Sequence, residues 1–246
     1  MIIYGINPVL EALRAGRAHR LKVGARADRR IDEAIALARK RGVAVERVEP
    51  AALARIARGG AHQGVAADVD APRDYAVADL VAAAGASAPL IVVLDGIEDP
   101  HNVGAVLRSV DAAGGHGLVR QERHAAALDG VVAKASAGAL AAVRIATVVN
   151  IARAVEELKD AGVWTVGLAA DASERYDAID LTLPTAIVLG AEGSGLRRLV
   201  RDRCDRLASI PMGGSVDSLN VSVAAGVMLF EAVRQRRAAG SAKTTR

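Results

Sequence analysis

Three apolar runs in this 246-residue chain each end in a cluster of Gly, Asn, Asp, Glu or Ser. They are Ile91–Arg108 (IVVLDGIEDPHNVGAVLR), Ala186–Leu196 (AIVLGAEGSGL) and Ile210–Val223 (IPMGGSVDSLNVSV). Each opens as a strand of β-branched and aliphatic residues and turns polar where the strand should stop. In open α/β sheets, ligands bind beyond the carboxyl ends of the strands, so three such ends with matching chemistry point to one composite site.

Other chemistries fit poorly. No G-x-x-x-x-G-K-[S/T] occurs, which excludes a P-loop. Gly190, Gly193 and Gly195 follow a strand, but their spacing and late position do not suit a dinucleotide loop. A single Cys204 rules out an internal disulfide and a cysteine-based zinc cluster. No set of His, Cys and carboxylates stands at metal-ligand spacing, so no metal is expected. A chain that is 52% apolar but has one Phe, one Trp and three Tyr must build its core from Ala, Val, Leu and Ile. The net charge of +4 and a pI near 9.6 favour a polyanionic partner. No run of about 18 apolar residues is present, and MIIYGINP lacks a signal-peptide pattern, so a cytosolic protein without a membrane segment is expected.

The elements that must position the three segments alternate as strand and helix, which predicts an α/β fold with a mostly parallel sheet covered on both faces. Residues 1–70 read as a small α/β unit: a strand at IIYG, a helix capped by Asn7 with Pro8 at its first position and stopped by Gly16, and a strand at Leu21–Val23. A helix over Ile31–Arg41 closed by Gly42, a strand at Val43–Val48, a short helix from Pro50 to Gly59-Gly60 and a strand at GVAADV follow. Arg14, Arg17, Arg20, Lys22, Arg26, Arg29 and Arg30 cluster here, as RNA contacts or as ordinary solvated surface. Residues 71–89 read as a linker with a short helix, and 90–238 as the main domain. That domain has strands at 90–94, 117–119, 163–168, 186–190 and 207–210. Its helices are expected near 103–113, 125–134, 151–161 (capped by Asn150), 195–206 and 219–237. Residues 239–246 read as a disordered tail.

NVGAVLR, GAEGSGL and SLNVSVAAG in this order, with NPVLEAL and HQGVAADV in the first unit, resemble the SpoU (TrmH-type) branch of the SPOUT methyltransferases over nearly the whole chain. The nearest resemblance is to the bacterial enzymes that methylate a guanosine 2′-hydroxyl in the peptidyl-transferase loop of 23S rRNA. It implies a C-terminal trefoil-knot (SPOUT) domain and an N-terminal RNA-binding domain similar to ribosomal protein L30e. It also implies S-adenosylmethionine as methyl donor, 23S rRNA as substrate and a homodimer. The alternatives are a tRNA 2′-O-methyltransferase and a catalytically silent RNA-binding ribosome-assembly factor. The N-terminal domain speaks against the first, because tRNA-directed relatives usually lack it. The intact Asn102, Arg108, Glu192, Ser218 and Asn220 speak against the second.

The resemblance assigns those five residues to catalysis and Leu189, Gly190, Ile210, Met212 and Leu219 to the cofactor. A ribose hydroxyl is a poor nucleophile, so transfer needs it oriented and its proton relieved. Arg108 matches a family residue often named as general base. A guanidinium holds its proton at neutral pH, so gripping a phosphate and easing ionisation of the hydroxyl is the better role. Glu192 can accept backbone N–H groups and brace its loop, or pair with Arg108 or Asn102. Ser218 and Asn220 sit where hydroxyl and amide cap a helix. His101 is a weak candidate base, Cys204 an inert helix residue, and Lys134, Ser136 and Gly138 lie in a loop that can touch RNA or simply face solvent.

Overall fold

The computed structural model describes residues 1–25, 28–57, 60–71 and 73–244, with side chains to residue 240. Arg26, Gly59, Pro72 and the last two residues of the expected tail therefore lie outside the described residues. The chain divides into two compact units, Met1–Pro72 with Ala127–Ala142 and Arg73–Ala126 with Val143–Arg246.

The first unit begins with β1 (Ile2–Tyr4), α1 (Ile6–Arg14), β2 (Ala18–Val23), α2 (Arg29–Lys40), β3 (Ala44–Arg47), α3 (Pro50–Ala57) and β4 (Val65–Val69). Its sheet has the order β1-β4-β2-β3, antiparallel except for the β2–β3 pair. The helix cap expected at Asn7 lies two residues earlier: α1 starts at Ile6 after its cap Gly5, whose φ of 93° suits glycine. The free N–H of Ile6 donates to the Gln63 side chain at 3.0 Å, and Asn7 instead accepts from Arg30.

The second unit opens with α4 (Val77–Ala82), β5 (Leu90–Asp95), α5 (Pro100–Ala112) and β6 (Gly117–Gln121). The stretch read as a linker is thus part of this unit, because Val77 and Leu80 are buried in its core. The chain then returns to the first unit with α6 (Gly130–Ala135) and α7 (Ala139–Ala142). Gly130 lies against the Tyr4 ring so closely that a Cβ would stand 2.6 Å from it. Ser136, expected in a loop that can touch RNA or simply face solvent, is buried; its hydroxyl donates to Ala133 and accepts from the Leu140 N–H.

The rest of the second unit comprises β7 (Ile145–Val148), α8 (Ile151–Asp160), β8 (Trp164–Leu168), β9 (Glu174–Arg175), β10 (Thr185–Gly190), α9 (Arg198–Arg203), β11 (Arg206–Ser209) and α10 (Val221–Thr244). All seven strands run parallel, in the order β7-β6-β5-β10-β8-β11-β9. Both central strands, LIVVLD and TAIVLG, are buried nearly throughout, as expected of a sheet covered on both faces. Within the expected tail, residues 239–244 are helical, as the end of α10. Among the described residues no helix is long and apolar enough to cross a membrane.

Candidate active site

Because every strand of the second sheet points the same way, their carboxyl ends share one edge. A cavity of about 530 Å3 opens there, between the ends of β8, β10 and β11 and the start of α10. Its apolar wall includes Leu168, Leu189, Ala208, Ile210, Met212, Leu219 and Ala224. Gly190 ends β10 in register with Asp95 at the end of β5. From Gly190 the chain folds back on itself: Ala191 and Gly195 exchange backbone hydrogen bonds of 3.1 and 2.8 Å, with Gly193 and Gly195 at φ 78° and 67°. A Cβ on Gly190 would stand 2.1 Å from the Gly195 carbonyl carbon, so no other residue fits beneath this loop.

The loop presents Glu192 to two amides. Asn102 donates to the Glu192 carboxylate at 3.1 Å, and Asn220 donates to the same oxygen at 2.7 Å and to the Asn102 carbonyl at 2.9 Å. Asn102 is buried in the first turns of α5, which Asp99 caps through the His101 N–H. Asn220 in turn accepts the N–H and hydroxyl of Ser222 at 2.9 and 2.6 Å, capping α10. Residues from three distant segments therefore form one hydrogen-bonded cluster with fixed amide orientations. Glu192 braces the two asparagines; the backbone exchange between Ala191 and Gly195 closes the loop.

Leu189, Gly190, Ile210, Met212 and Leu219 all line the cavity, as do Glu192, Ser218 and Asn220. Ser218 is exposed at its edge and forms no hydrogen bond among the described residues. Arg108 is not brought into the cluster. It lies exposed on α5, away from the cavity wall, without an ion pair among the described residues. His101 is exposed beside Asn102. Cys204 donates to the Val200 carbonyl, and burial, with Asp205 nearby, pushes its thiol up to about 12. Among the described residues, no group of three His, Cys, Asp or Glu side chains is placed to hold a metal ion.

Two features escaped the sequence reading. Asp95, fully buried, accepts the Arg197 N–H at 2.8 Å and its Nε at 2.6 Å, and Arg197 also donates to Gln121 at 2.8 Å. This ties the ends of β5 and β6 to the residue that follows the Glu192 loop. Asp171, after β8, and Arg201, on α9, form an ion pair in the cavity wall. The end of β8 reads Leu-Ala-Ala-Asp, without the glycine and amide punctuation of the other three segments, so nothing local marked it.

A parallel α/β sheet with an apolar, loop-lined cavity and an Asn–Glu–Asn cluster on its edge defines an enzyme of the SPOUT methyltransferase class. Residues 89–230 match the SpoU rRNA Methylase family, and residues 2–75 match the RNA 2′-O ribose methyltransferase substrate-binding family. The chain belongs to the SpoU rRNA methylase family. An uncharacterized tRNA/rRNA methyltransferase of Mycolicibacterium vanbaalenii is 47% identical over 244 residues, covering 97% of this chain and 77% of its own length. The SpoU methyltransferase AviRb of Streptomyces viridochromogenes, solved with AdoMet, superposes with a TM-score of 0.80 at 30% identity, over 97% of this chain and 91% of its own. An AdoMet-bound rRNA methyltransferase from Sinorhizobium meliloti gives 0.77 at 27% identity, over 95% and 86%.

Proposed function

We propose that this chain transfers a methyl group from S-adenosylmethionine to the ribose 2′-hydroxyl of a guanosine in the peptidyl-transferase loop of 23S rRNA, as a cytoplasmic homodimer. The observation that carries this reading is the Asn102–Glu192–Asn220 cluster beside a cavity walled by Leu189, Ile210, Met212 and Leu219. The wall suits an adenine ring, and the exposed loop backbone at Gly190 offers the few polar contacts such pockets use to orient a ligand. S-adenosylmethionine supplies a sulfonium-bound methyl group whose displacement needs no metal.

The chain's own groups supply orientation. Glu192, one oxygen shared by two amides, fixes Asn102 and Asn220 in a single arrangement at the cavity's edge. A hydroxyl held there meets preset dipoles, which lowers the barrier without reorganisation. Arg108 faces outward on the same helix as Asn102, where it can grip the target phosphate and ease loss of the hydroxyl proton to solvent or phosphate. Ser218, free at the cavity edge, takes an orienting role toward the substrate.

Support for the homodimer lies on α10. Val223 and Phe230, seven residues apart on one face, are about half exposed. A Cβ on Gly226 of that helix would lie 3.9 Å from the hydroxyl of Ser109, the neighbour of Arg108. A second copy covering this face would border Arg108.

Mapping 2′-O-methylated nucleotides in rRNA and tRNA, from cells with and without the protein, tests the reading. Loss of one 2′-O-methylguanosine in 23S rRNA is expected. Loss confined to a tRNA position would establish the tRNA enzyme instead, and no loss at all would favour a silent assembly factor.

A further inference from the structure

Among the described residues, the cavity wall holds one cationic side chain, that of Arg201. Its two terminal nitrogens donate to the two carboxylate oxygens of Asp171, at 2.9 and 3.0 Å. The Arg201 guanidinium holds the Asp171 carboxyl below the usual carboxylate range, so both partners are charged at neutral pH. Nearby arginines are spent elsewhere: Arg203 pairs with Glu156 and Arg206 with Glu174, outside the cavity. The Asp171–Arg201 pair is open to solvent, with side chains 70% and 36% exposed, and an ion pair so placed contributes little to stability.

Position gives the pair another use. Asn102, Glu192 and Asn220 gather over the ends of β5 and β10, whereas Asp171 follows β8, on the far side of β10. Adjacent strands lie about 4.8 Å apart, so the end of β8 stands one spacing from the end of β10 and roughly 10 Å from the end of β5. A ligand reacting at the first group can extend one arm along the apolar wall and a short second arm toward the pair.

We propose that Asp171 and Arg201 hold the α-amino-acid end of the methyl donor, Arg201 taking its carboxylate and Asp171 its ammonium. The assignment rests on the S-adenosylmethionine reading above and adds a recognition element to it. A carboxylate and an ammonium on one carbon need an anion and a cation side by side, and this wall offers one such pair. The planar guanidinium fork matches a carboxylate in two-point fashion, which an ammonium cannot do.

Calorimetric titration of the full chain with S-adenosylhomocysteine and with 5′-methylthioadenosine tests this, because the second ligand keeps the adenosine and sulfur but lacks the amino-acid end. Wild type should bind S-adenosylhomocysteine the more tightly. Arg201→Gln should weaken it by about 10- to 100-fold and change 5′-methylthioadenosine affinity less than about twofold. Asp171→Asn should act in the same direction, and Arg201→Lys should recover only part of the loss. Unchanged 5′-methylthioadenosine binding also shows that each variant is folded. Equal losses for both ligands, or no loss for either, would overturn the assignment while leaving the donor reading intact. If wild type bound neither ligand, the donor reading itself would fall, and this assignment with it.

Discussion

The four-stranded sheet of the first unit and the seven-stranded sheet of the second are built from the same small aliphatic residues. Among the described residues, polar side chains gather around the cavity of about 530 Å3 at the edge of the second sheet. Its strands are all parallel, so the segments carrying Asn102, Asp171, Glu192 and Asn220 leave from the same edge. In the first unit β1, β2 and β3 share one direction and β4 runs against them, and a cavity between Ile3, Arg17 and Leu140 measures about 10 Å3, room for one water at most. What the first unit offers is charge. Arg14, Arg20 and Lys22 of its early basic cluster are tied to Glu11 and Glu33, Glu46, and Asp68. Arg29, Arg39, Lys40, Arg47 and Arg55 are exposed and, among the described residues, without ion pairs. We propose that chemistry belongs to the parallel sheet and that RNA affinity draws on the mixed one, whose residues 2–75 match the RNA 2′-O ribose methyltransferase substrate-binding family.

The division is broken most severely at Gly190. Gly190→Ala places a methyl group inside the Gly195 backbone, displacing the Glu192 loop. We expect methyl transfer to fall by about 100-fold or more, with donor binding lost in calorimetry, while RNA binding persists. Retained donor binding would show that the loop does not frame the cofactor.

Arg108→Ala comes next. One charge-assisted bond lost in the transition state corresponds to about 1.5–3 kcal/mol, or roughly a 10- to 150-fold slower single turnover. Donor affinity should be unchanged, and Arg108→Lys should recover little because it lacks the planar fork. A near wild-type rate at saturating RNA would make Arg108 a bystander on α5.

A smaller effect sharpens the other side of the comparison. Replacing Arg29, Arg39 and Lys40 of α2 together by Gln should leave donor binding alone. It should lower the slope of log affinity against log salt by about 0.7 for each phosphate contact removed. An unchanged slope would move RNA binding off this helix.

Cys204 should matter least. Its thiol is pushed from an ordinary 9.0 to about 12, chiefly by burial, so the folded state holds that proton more tightly than the unfolded chain. The resulting stability is fully present below about pH 9 and is lost as pH rises toward about 12. Cys204→Ala should flatten that alkaline limb in a denaturation series and leave methyl transfer untouched. Rapid alkylation of the native protein at pH 8 would contradict the burial.

Much of this was legible in the residues. The two central strands of the parallel sheet, β5 and β10, are near-continuous apolar runs, and glycine and amide punctuation at 190–195 and 218–220 marks two loops of the site directly. The short helix expected between residues 71 and 89 is present as α4, but its burial was not legible, because it depends on Val77 and Leu80 meeting a sheet formed far along the chain. The return of 127–142 to the first unit depends on a close fit between Gly130 and Tyr4, a tertiary contact with no periodic signal. Asp95 and Arg197, 102 residues apart, are likewise invisible until the β5–β10 register brings them together. Local sequence marks where a strand ends; which other end it meets is a property of the sheet.

On the proposed reading, the edge of the parallel sheet moves a methyl group from S-adenosylmethionine to a ribose oxygen. The direct test of that reading is to incubate the purified full chain with methyl-labelled S-adenosylmethionine and unmodified 23S rRNA, digest the RNA to nucleosides and identify the labelled product by mass spectrometry. The account predicts label in 2′-O-methylguanosine, absent when Gly190→Ala protein is used. Label on a base, or no label in any nucleoside, would contradict it.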